Sequence, residues 1–380
     1  MKTRAMVLGC GLVGATMAKE MAADSEFEVG VADLSLDNLH KLQNCKNIAT
    51  LQADLGDPGR VHTLVRDCDI VLGALPSHIG LHTLEAVIRA GKHYCDISFM
   101  SEDALELDGL AKEHGVTAIV DCGVSPGLSS MMVGFASSQL ERTERADIYV
   151  GGLPKVRRWP YQYKAPFAPS DVIEEYVRPA RMVENGKVIV KPALSDPELM
   201  DFPGVGTLEA FNTDGLRSLL KTIAVANMRE KTLRFPGHIE LMRVFRETGF
   251  FDRTPIELKG ASVRPRDVIA KLLFPHWTYE EGEEEFTILR VTVEGRKAGK
   301  TLCHTYDLYD EYDRATRTSS MARTTAFPNV IAARMIAAGR FQHRGVFPPE
   351  LVAREPKIFD HVLSELAKRA VRVSQRVEER

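Results

Sequence analysis

At 380 residues the chain is too long for one ordinary domain and suits two or three. Apolar residues make up 44% and charged residues 27%, the proportions of a chain burying a normal core, which excludes bulk disorder, collagen-like sequence and a small disulfide scaffold. Lysine and arginine number 49 against 52 acidic residues, a formal charge of −3, so there is no electrostatic case for nucleic acid or an anionic membrane as a partner.

The first 125 residues alternate strand-like and helix-like segments. Residues 5–8 form a short apolar run, and Gly9-Cys10-Gly11-Leu12-Val13-Gly14 then opens a helical stretch to about Ala23. Residues 27–32 read as a second strand ending at Asp33, 48–53 as a weaker third, and 69–74 as a fourth. A helix over 79–89, stopped by Gly91, precedes a fifth strand over 93–97; a helix over 102–114 precedes a sixth over 117–120. Strands separated by helices in this way imply right-handed βαβ units and a doubly wound parallel sheet.

Beyond Cys122 the texture changes. Residues 126–140 read as one helix and 146–150 as a strand. Asn185-Gly186, set between apolar runs over 181–190, is a strong hairpin signal, and segments 286–293 and 302–309 flank a Gly/Lys-rich turn. This region reads as a second domain of the α+β kind, so the fold class is α/β with an appended mixed sheet. The acidic run over 280–285 reads as a solvated turn. From about Thr318 the pattern is helical again, and a last amphipathic helix is expected over 359–377.

Six cysteines without a CxxC pair suggest reduced thiols in a cytoplasmic protein. The opening residues do not read as a signal peptide, and no run of 18 apolar residues occurs, so no membrane partner is expected.

The glycine motif meets separate requirements of a dinucleotide site. It follows a strand and opens a helix: Gly9 permits the tight turn, Gly11 the approach of a pyrophosphate, and Gly14 close helix–strand packing. Leu12 and Val13 place the helix N-terminus, with its free N–H groups, at the phosphates. Asp33, 19 residues past Gly14, suits the ribose hydroxyls and would repel a 2′-phosphate, which favours NAD as cofactor; its alternative is an ordinary strand-end turn. Leu75 and Pro76 end the fourth strand where the nicotinamide half belongs, although Pro76 also serves simply to break that strand.

Two further clusters sit at later strand ends. His93-Tyr94-Cys95-Asp96 alternates its side chains between faces and lacks the spacing of a four-ligand site, so no metal is expected. Residues 123–127 can form a tight loop offering N–H groups to a carboxylate or to the nicotinamide amide, with Ser125 and Gly127 as contacts; the plainer reading is a crossover shaped by glycine and proline.

The segment Asp121-Cys122-Gly123-Val124-Ser125-Pro126-Gly127-Leu128-Ser129, with Tyr149-Val150-Gly151-Gly152-Leu153-Pro154, Glu209-Ala210-Phe211-Asn212-Thr213-Asp214-Gly215-Leu216 and Lys231-Thr232-Leu233-Arg234-Phe235-Pro236-Gly237-His238, resembles the saccharopine dehydrogenase/reductase family, and within it the lysine 6-dehydrogenase branch. The resemblance implies a Rossmann domain over 1–125, a substrate and oligomerisation domain over 126–325, and C-terminal helices over 326–380 packing back on the first domain. It also implies a homo-oligomer and NAD-linked oxidation of an amine on an amino-acid substrate: the lysine ε-amino carbon loses hydride and the imine hydrolyses to allysine. Some saccharopine reductases place a cysteine where this chain has Val150.

Such chemistry needs a group that takes the amine proton and activates water. Asp96 is the first candidate, or else it caps the next helix. Arg234 suits the substrate α-carboxylate because a guanidinium fork matches it bidentately, against the alternative of a surface ion pair. His238 suits a proton shuttle or a helix cap, and Thr213 and Asp214 either line the site or cap a helix. Lys231 could hold a carboxylate, although a solvated surface lysine is the plainer reading.

Overall fold

The alternating apolar runs of the N-terminal part become six parallel strands: β1 (Thr3–Leu8), β2 (Phe27–Asp33), β3 (Ile48–Gln52), β4 (Ile70–Gly73), β5 (His93–Asp96) and β6 (Thr117–Ile119). They lie in the order β6-β5-β4-β1-β2-β3, and a seventh strand, Gly345–Phe347, pairs in parallel with β6. Helices on both faces of such a sheet require strands apolar on both sides, which is why Val7, Leu8, Val29, Val31, Val71 and Leu72 are all buried. From β1 the chain winds outward to β3 and then returns to β4, so the strand order reverses between β1 and β4. That switch point sets Leu8 beside Gly73 in register and defines where a ligand of this sheet belongs.

The computed structural model, which describes residues 2–380, divides into two units. The first runs to Phe135 and is completed by Ala322–Arg372; the second comprises Ala136–Met321 with Val373–Arg380. The second unit holds β7 (Arg142–Pro154), β8 (Ala180–Glu184), β9 (Lys187–Lys191), β10 (Glu198–Phe202), β11 (Gly206–Asn212), β12 (Val225–Arg234), β13 (Ile256–Leu258), β14 (Ala261–Val263), β15 (Glu285–Lys297) and β16 (Lys300–Glu311). Its main sheet runs β10-β11-β12-β7-β15-β16 and is antiparallel except for the β12–β7 pair. The Asn185-Gly186 turn joins β8 to β9 as its sequence demands, both residues taking positive φ. Helices Pro169–Val177, His238–Glu247 and Pro265–Trp277 pack around an aromatic core in which they supply Tyr176 and Trp277, β11 supplies Phe211, and the segment after β7 supplies Tyr163.

The last helix departs from expectation. It covers Pro356–Lys368 rather than 359–377, and Val373–Glu379 forms an edge strand of the second sheet, antiparallel to β16. The buried stripe Ile358, Phe359, Val362 and Leu366 ends with the helix, and Ala370, at φ 63°, turns the chain away. Edge strands present one side to solvent, so the charged run Arg376-Val377-Glu378-Glu379 fits there as well as on a helix surface. The C-terminal segment therefore returns to the first sheet as a strand and helices, and ends in the second. Among the described residues no helix is long and apolar enough to cross a membrane.

Candidate functional site

In the first unit the candidate cofactor residues gather at the carboxyl ends of β1, β2 and β4. Gly9 has φ +95°, and a Cβ on it would overlap the Ala74 carbonyl oxygen; a Cβ on Gly14 would overlap the Gly9 carbonyl. Gly11 differs: nothing lies within 4 Å of its Cβ position. It caps the helix Leu12–Ala22 with no side-chain hydrogen bond. The turn is therefore closed underneath and open on top, with a helix N-terminus facing the opening, and this fits a bound phosphate. Leu12 is exposed and Val13 half-buried at that rim, while Leu75 packs against Gly9 and Pro76 caps the helix Ser77–Arg89.

Asp33 is tied into the same turn. Its Oδ2 accepts the Cys10 N–H at 2.5 Å and its Oδ1 the Ser35 N–H at 2.7 Å. Each oxygen keeps a further lone pair for a ribose hydroxyl, so the aspartate can brace the turn and hold a ligand together.

Asp96 is fully buried at the end of β5, opposite Gly73 of β4. Its carboxylate accepts hydrogen bonds from the Tyr94 hydroxyl at 3.1 Å and from the Ser98 hydroxyl. Burial outweighs these bonds and pushes its pKa up to about 7. The carbonyl of Asp96 accepts the Cys122 N–H at 2.7 Å, which joins the β5 end to the crossover loop. That loop is more self-contained than its sequence suggests: Gly123, Leu128 and Ser129 donate their N–H groups to the carbonyls of Pro126, Gly123 and Val124. Gly127, at φ +134°, lies so close to Gly123 that no side chain would fit, and the Ser129 hydroxyl donates to that of Ser125 at 2.9 Å. Among the described residues, no group of three His, Cys, Asp or Glu side chains is placed to hold a metal ion.

The second unit brings Arg234 and His238 together around Tyr176. Arg234 is buried at the end of β12 and donates to the Leu233 carbonyl (2.9 Å), the hydroxyls of Tyr176 and Tyr163 (both 3.3 Å) and Glu175 Oε2 (2.6 Å). Its guanidinium also lies 4.3 Å from the Tyr163 ring centroid. Burial alone would lower the Arg234 pKa, but the two phenols and Glu175 carry it up. His238, buried at the start of its helix, donates from Nδ1 to the Tyr161 carbonyl at 2.9 Å, so Nε2 accepts the Tyr176 hydroxyl at 2.9 Å. Burial and the Arg234 charge hold this ring neutral, with a pKa lowered to about 3.

Thr213 and Asp214 stand next to this cluster but face different partners. Asp214 binds Arg181 bidentately, with both distances 2.9 Å. The Thr213 hydroxyl donates to Glu230 Oε2 at 2.5 Å and lies 2.9 Å from that of Thr232. Glu230 is buried beneath Gly215, and burial raises its pKa to about 8.

Several members of these networks escaped the sequence reading. Tyr163, Glu175, Tyr176 and Glu230 carry no motif; the one available signal was the aromatic run Trp159-Pro160-Tyr161-Gln162-Tyr163, where alternate tyrosines turn inward. Lys231 is not a solvated lysine: it is buried, donates to the Asp196 carbonyl at 2.5 Å and pairs with Glu198 at 3.0 Å. The acidic run over 280–285 is only partly a solvated turn. Glu280 and Glu281 are exposed, whereas Glu283 pairs with Lys164, and buried Glu285 accepts the Met321 N–H at 2.8 Å.

The chain matches the family description "Saccharopine dehydrogenase NADP binding domain" over residues 5–119 and "Saccharopine dehydrogenase C-terminal domain" over residues 123–371. It is 23% identical to a saccharopine dehydrogenase (NADP(+), L-glutamate-forming) of Pyricularia oryzae, over 95% of this chain and 96% of that protein. It is 21% identical to a carboxynorspermidine synthase of Vibrio alginolyticus over 92% of both. Apo saccharopine dehydrogenase (L-Glu forming) of Saccharomyces cerevisiae superposes with a TM-score of 0.82 at 18% identity, covering 99% of this chain and 100% of that one, which establishes the shared fold.

Proposed function

The chain belongs to the saccharopine dehydrogenase family of oxidoreductases acting on amino-acid-derived amines, and within it we propose NAD-linked oxidation of the ε-amine of L-lysine. The reaction converts L-lysine, NAD⁺ and water to allysine, ammonium, NADH and a proton. The glycine turn, Asp33, Leu75 and Pro76 would hold the dinucleotide, whose nicotinamide supplies the hydride acceptor when bound. Asp96, with a pKa about 7, is the group suited to exchanging a proton with the amine or with water near neutral pH.

One observation carries the choice of a small amine. In the second unit Lys164, Arg181, Arg229, Lys231 and Arg234 already face Glu283, Asp214, Asp147, Glu198 and Glu175 of the chain itself. These five cations are each already answered by an acid of the chain, which makes them poorer partners for a substrate with several carboxylates, and a single amino-acid head fits better. The preference for NAD rests on Asp33 and on Leu34-Ser35-Leu36-Asp37, which follows it without a basic residue and adds a second acid.

A second reading is oxidation of a secondary amine joining two amino acids, with NADP; the near full-length match to the fungal relative favours it. Initial rates of reduced-cofactor formation with L-lysine and saccharopine, each with NAD and NADP, separate the two. We expect kcat/KM to be highest for lysine with NAD. Faster turnover of saccharopine, or tighter binding of NADPH than NADH, would replace the proposal with the second reading.

A further inference from the structure

Tyr279 and Glu283 lie in the chain between the helix Pro265–Trp277 and β15, and Tyr279 is within electrostatic reach of Arg234 and Tyr163. Glu283 Oε2 accepts from Lys164 Nζ and from the Glu280 N–H at 3.0 Å, but Glu283 Oε1 is buried without a hydrogen-bond partner. The Tyr279 hydroxyl is likewise buried and unpartnered. Lys164 Nζ stands 5.8 Å from the Tyr279 ring centroid, so the acceptor and the donor share one neighbourhood. Leaving such atoms unpaired costs free energy that a ligand of matching polarity would recover.

The segment leading into Lys164 has the opposite property. Trp159 is 89% exposed, with exposed Val156 and Arg158 beside it, whereas Trp277, the other tryptophan of the chain, is fully buried. An indole left this bare is rare and marks a surface that something covers. Burial pushes the Glu283 pKa up, but Lys164, the Glu280 N–H and, least, the charge of Arg158 bring it below its ordinary value, so Arg158 is within electrostatic reach of the same carboxylate.

We propose that Glu283, Tyr279 and Arg158 form a subsite for the α-ammonium and α-carboxylate of an amino acid, over which Trp159 closes. Glu283 Oε1 accepts from the ammonium, Tyr279 and Arg158 donate to the carboxylate, and the indole covers the head. This rests on the reading of the substrate as an amino acid and names the groups that recognise it.

The test uses the full chain with L-lysine, 6-aminohexanoate, which lacks the α-ammonium, and cadaverine, which lacks the carboxylate. For the native protein each truncation should lower kcat/KM by about 100-fold. Glu283→Gln should lower kcat/KM for lysine by about 10–100-fold and leave 6-aminohexanoate within about threefold, since that compound never used the carboxylate. Tyr279→Phe should cost lysine about tenfold and leave cadaverine unchanged. In parallel, iodide quenching should report Trp159, be lost in Trp159→Phe, and fall at saturating lysine. Equal losses for all three compounds in both variants mean a merely structural role and overturn the subsite. So does Trp159 quenching that no α-amino acid reduces. If lysine is not oxidised but an α-amino acid shields Trp159, and Glu283→Gln abolishes that shielding, the proposed reaction fails while the subsite stands.

Discussion

The glycine turn of the first unit and the Arg234 cluster of the second are built in opposite ways. The turn is made of backbone: Gly9 and Gly14 are pressed against carbonyl oxygens from below, and the space above Gly11 is empty. The cluster is made of side chains that answer one another: Arg234 by Glu175, Tyr163 and Tyr176, His238 by Tyr161 and Tyr176, Asp214 by Arg181, and Thr213 by Glu230. Asp33 takes the Cys10 N–H of this turn, but no atom comes near the Cβ position of Gly11, so the helix N-terminus beyond it keeps its N–H groups in reserve. A set of charged and aromatic side chains brought together by folding tends to satisfy itself, and its members then act as frame.

Arg234→Ala puts that distinction under the greatest strain. If the arginine is frame, its removal leaves half-buried Glu175 without its cation and Tyr163 and Tyr176 without their donor, and costs about 3 kcal/mol of stability, read as a lower denaturant midpoint. If it instead binds the substrate carboxylate, stability holds and KM alone rises. The first outcome is expected.

Glu230→Gln sharpens the contrast through pH. The carboxyl has an ordinary pKa of 4.5 when unfolded and about 8 when folded. Across that window the native protein holds a proton that the unfolded chain has released, so stability is fully present below pH 4.5 and falls as pH rises to about 8. Glutamine cannot ionise and still accepts the Thr213 hydroxyl. The variant should therefore lose less stability than the native protein between pH 5 and pH 8, by on the order of 1–3 kcal/mol, measured as thermal midpoints across pH. Parallel pH profiles for the two proteins would show that Glu230 is ionised in the fold and that its surroundings are not self-satisfied.

The same contrast explains what was legible beforehand. A glycine that must take φ +95° and a strand apolar on both faces leave marks in the sequence, so the parallel sheet, its order of elements and the dinucleotide turn could all be read there. Arg234 and His238 could be picked out as chemically able, but nothing in their types tells a substrate ligand from a residue whose hydrogen-bonding groups Tyr161, Tyr176 and Glu175 already engage. Tyr176 and Glu175 are brought there by the helix Pro169–Val177, some 60 residues from Arg234, and that pairing is fixed only by tertiary folding. The tail was misread for a related reason: an amphipathic charged pattern at a chain end suits an edge strand as well as a helix, and β16 decided the matter.

The finest discrimination lies within the glycine turn itself. Gly11→Ala and Gly9→Ala add the same methyl group a few ångströms apart. At Gly9 it would strike the Ala74 carbonyl and demand φ +95° of an alanine, so stability and cofactor binding should fall together. At Gly11 the backbone is already at φ −67°, which alanine adopts freely, and the methyl enters open space. The thermal midpoint of Gly11→Ala should therefore match the native protein. Its affinity for NADH, followed by fluorescence titration, should fall by about tenfold or about 1.4 kcal/mol, because the methyl holds a phosphate away from the helix N-terminus. Full retention of affinity would mean that the opening above Gly11 is not where the dinucleotide approaches the backbone, and the first unit would then bind it through side chains instead.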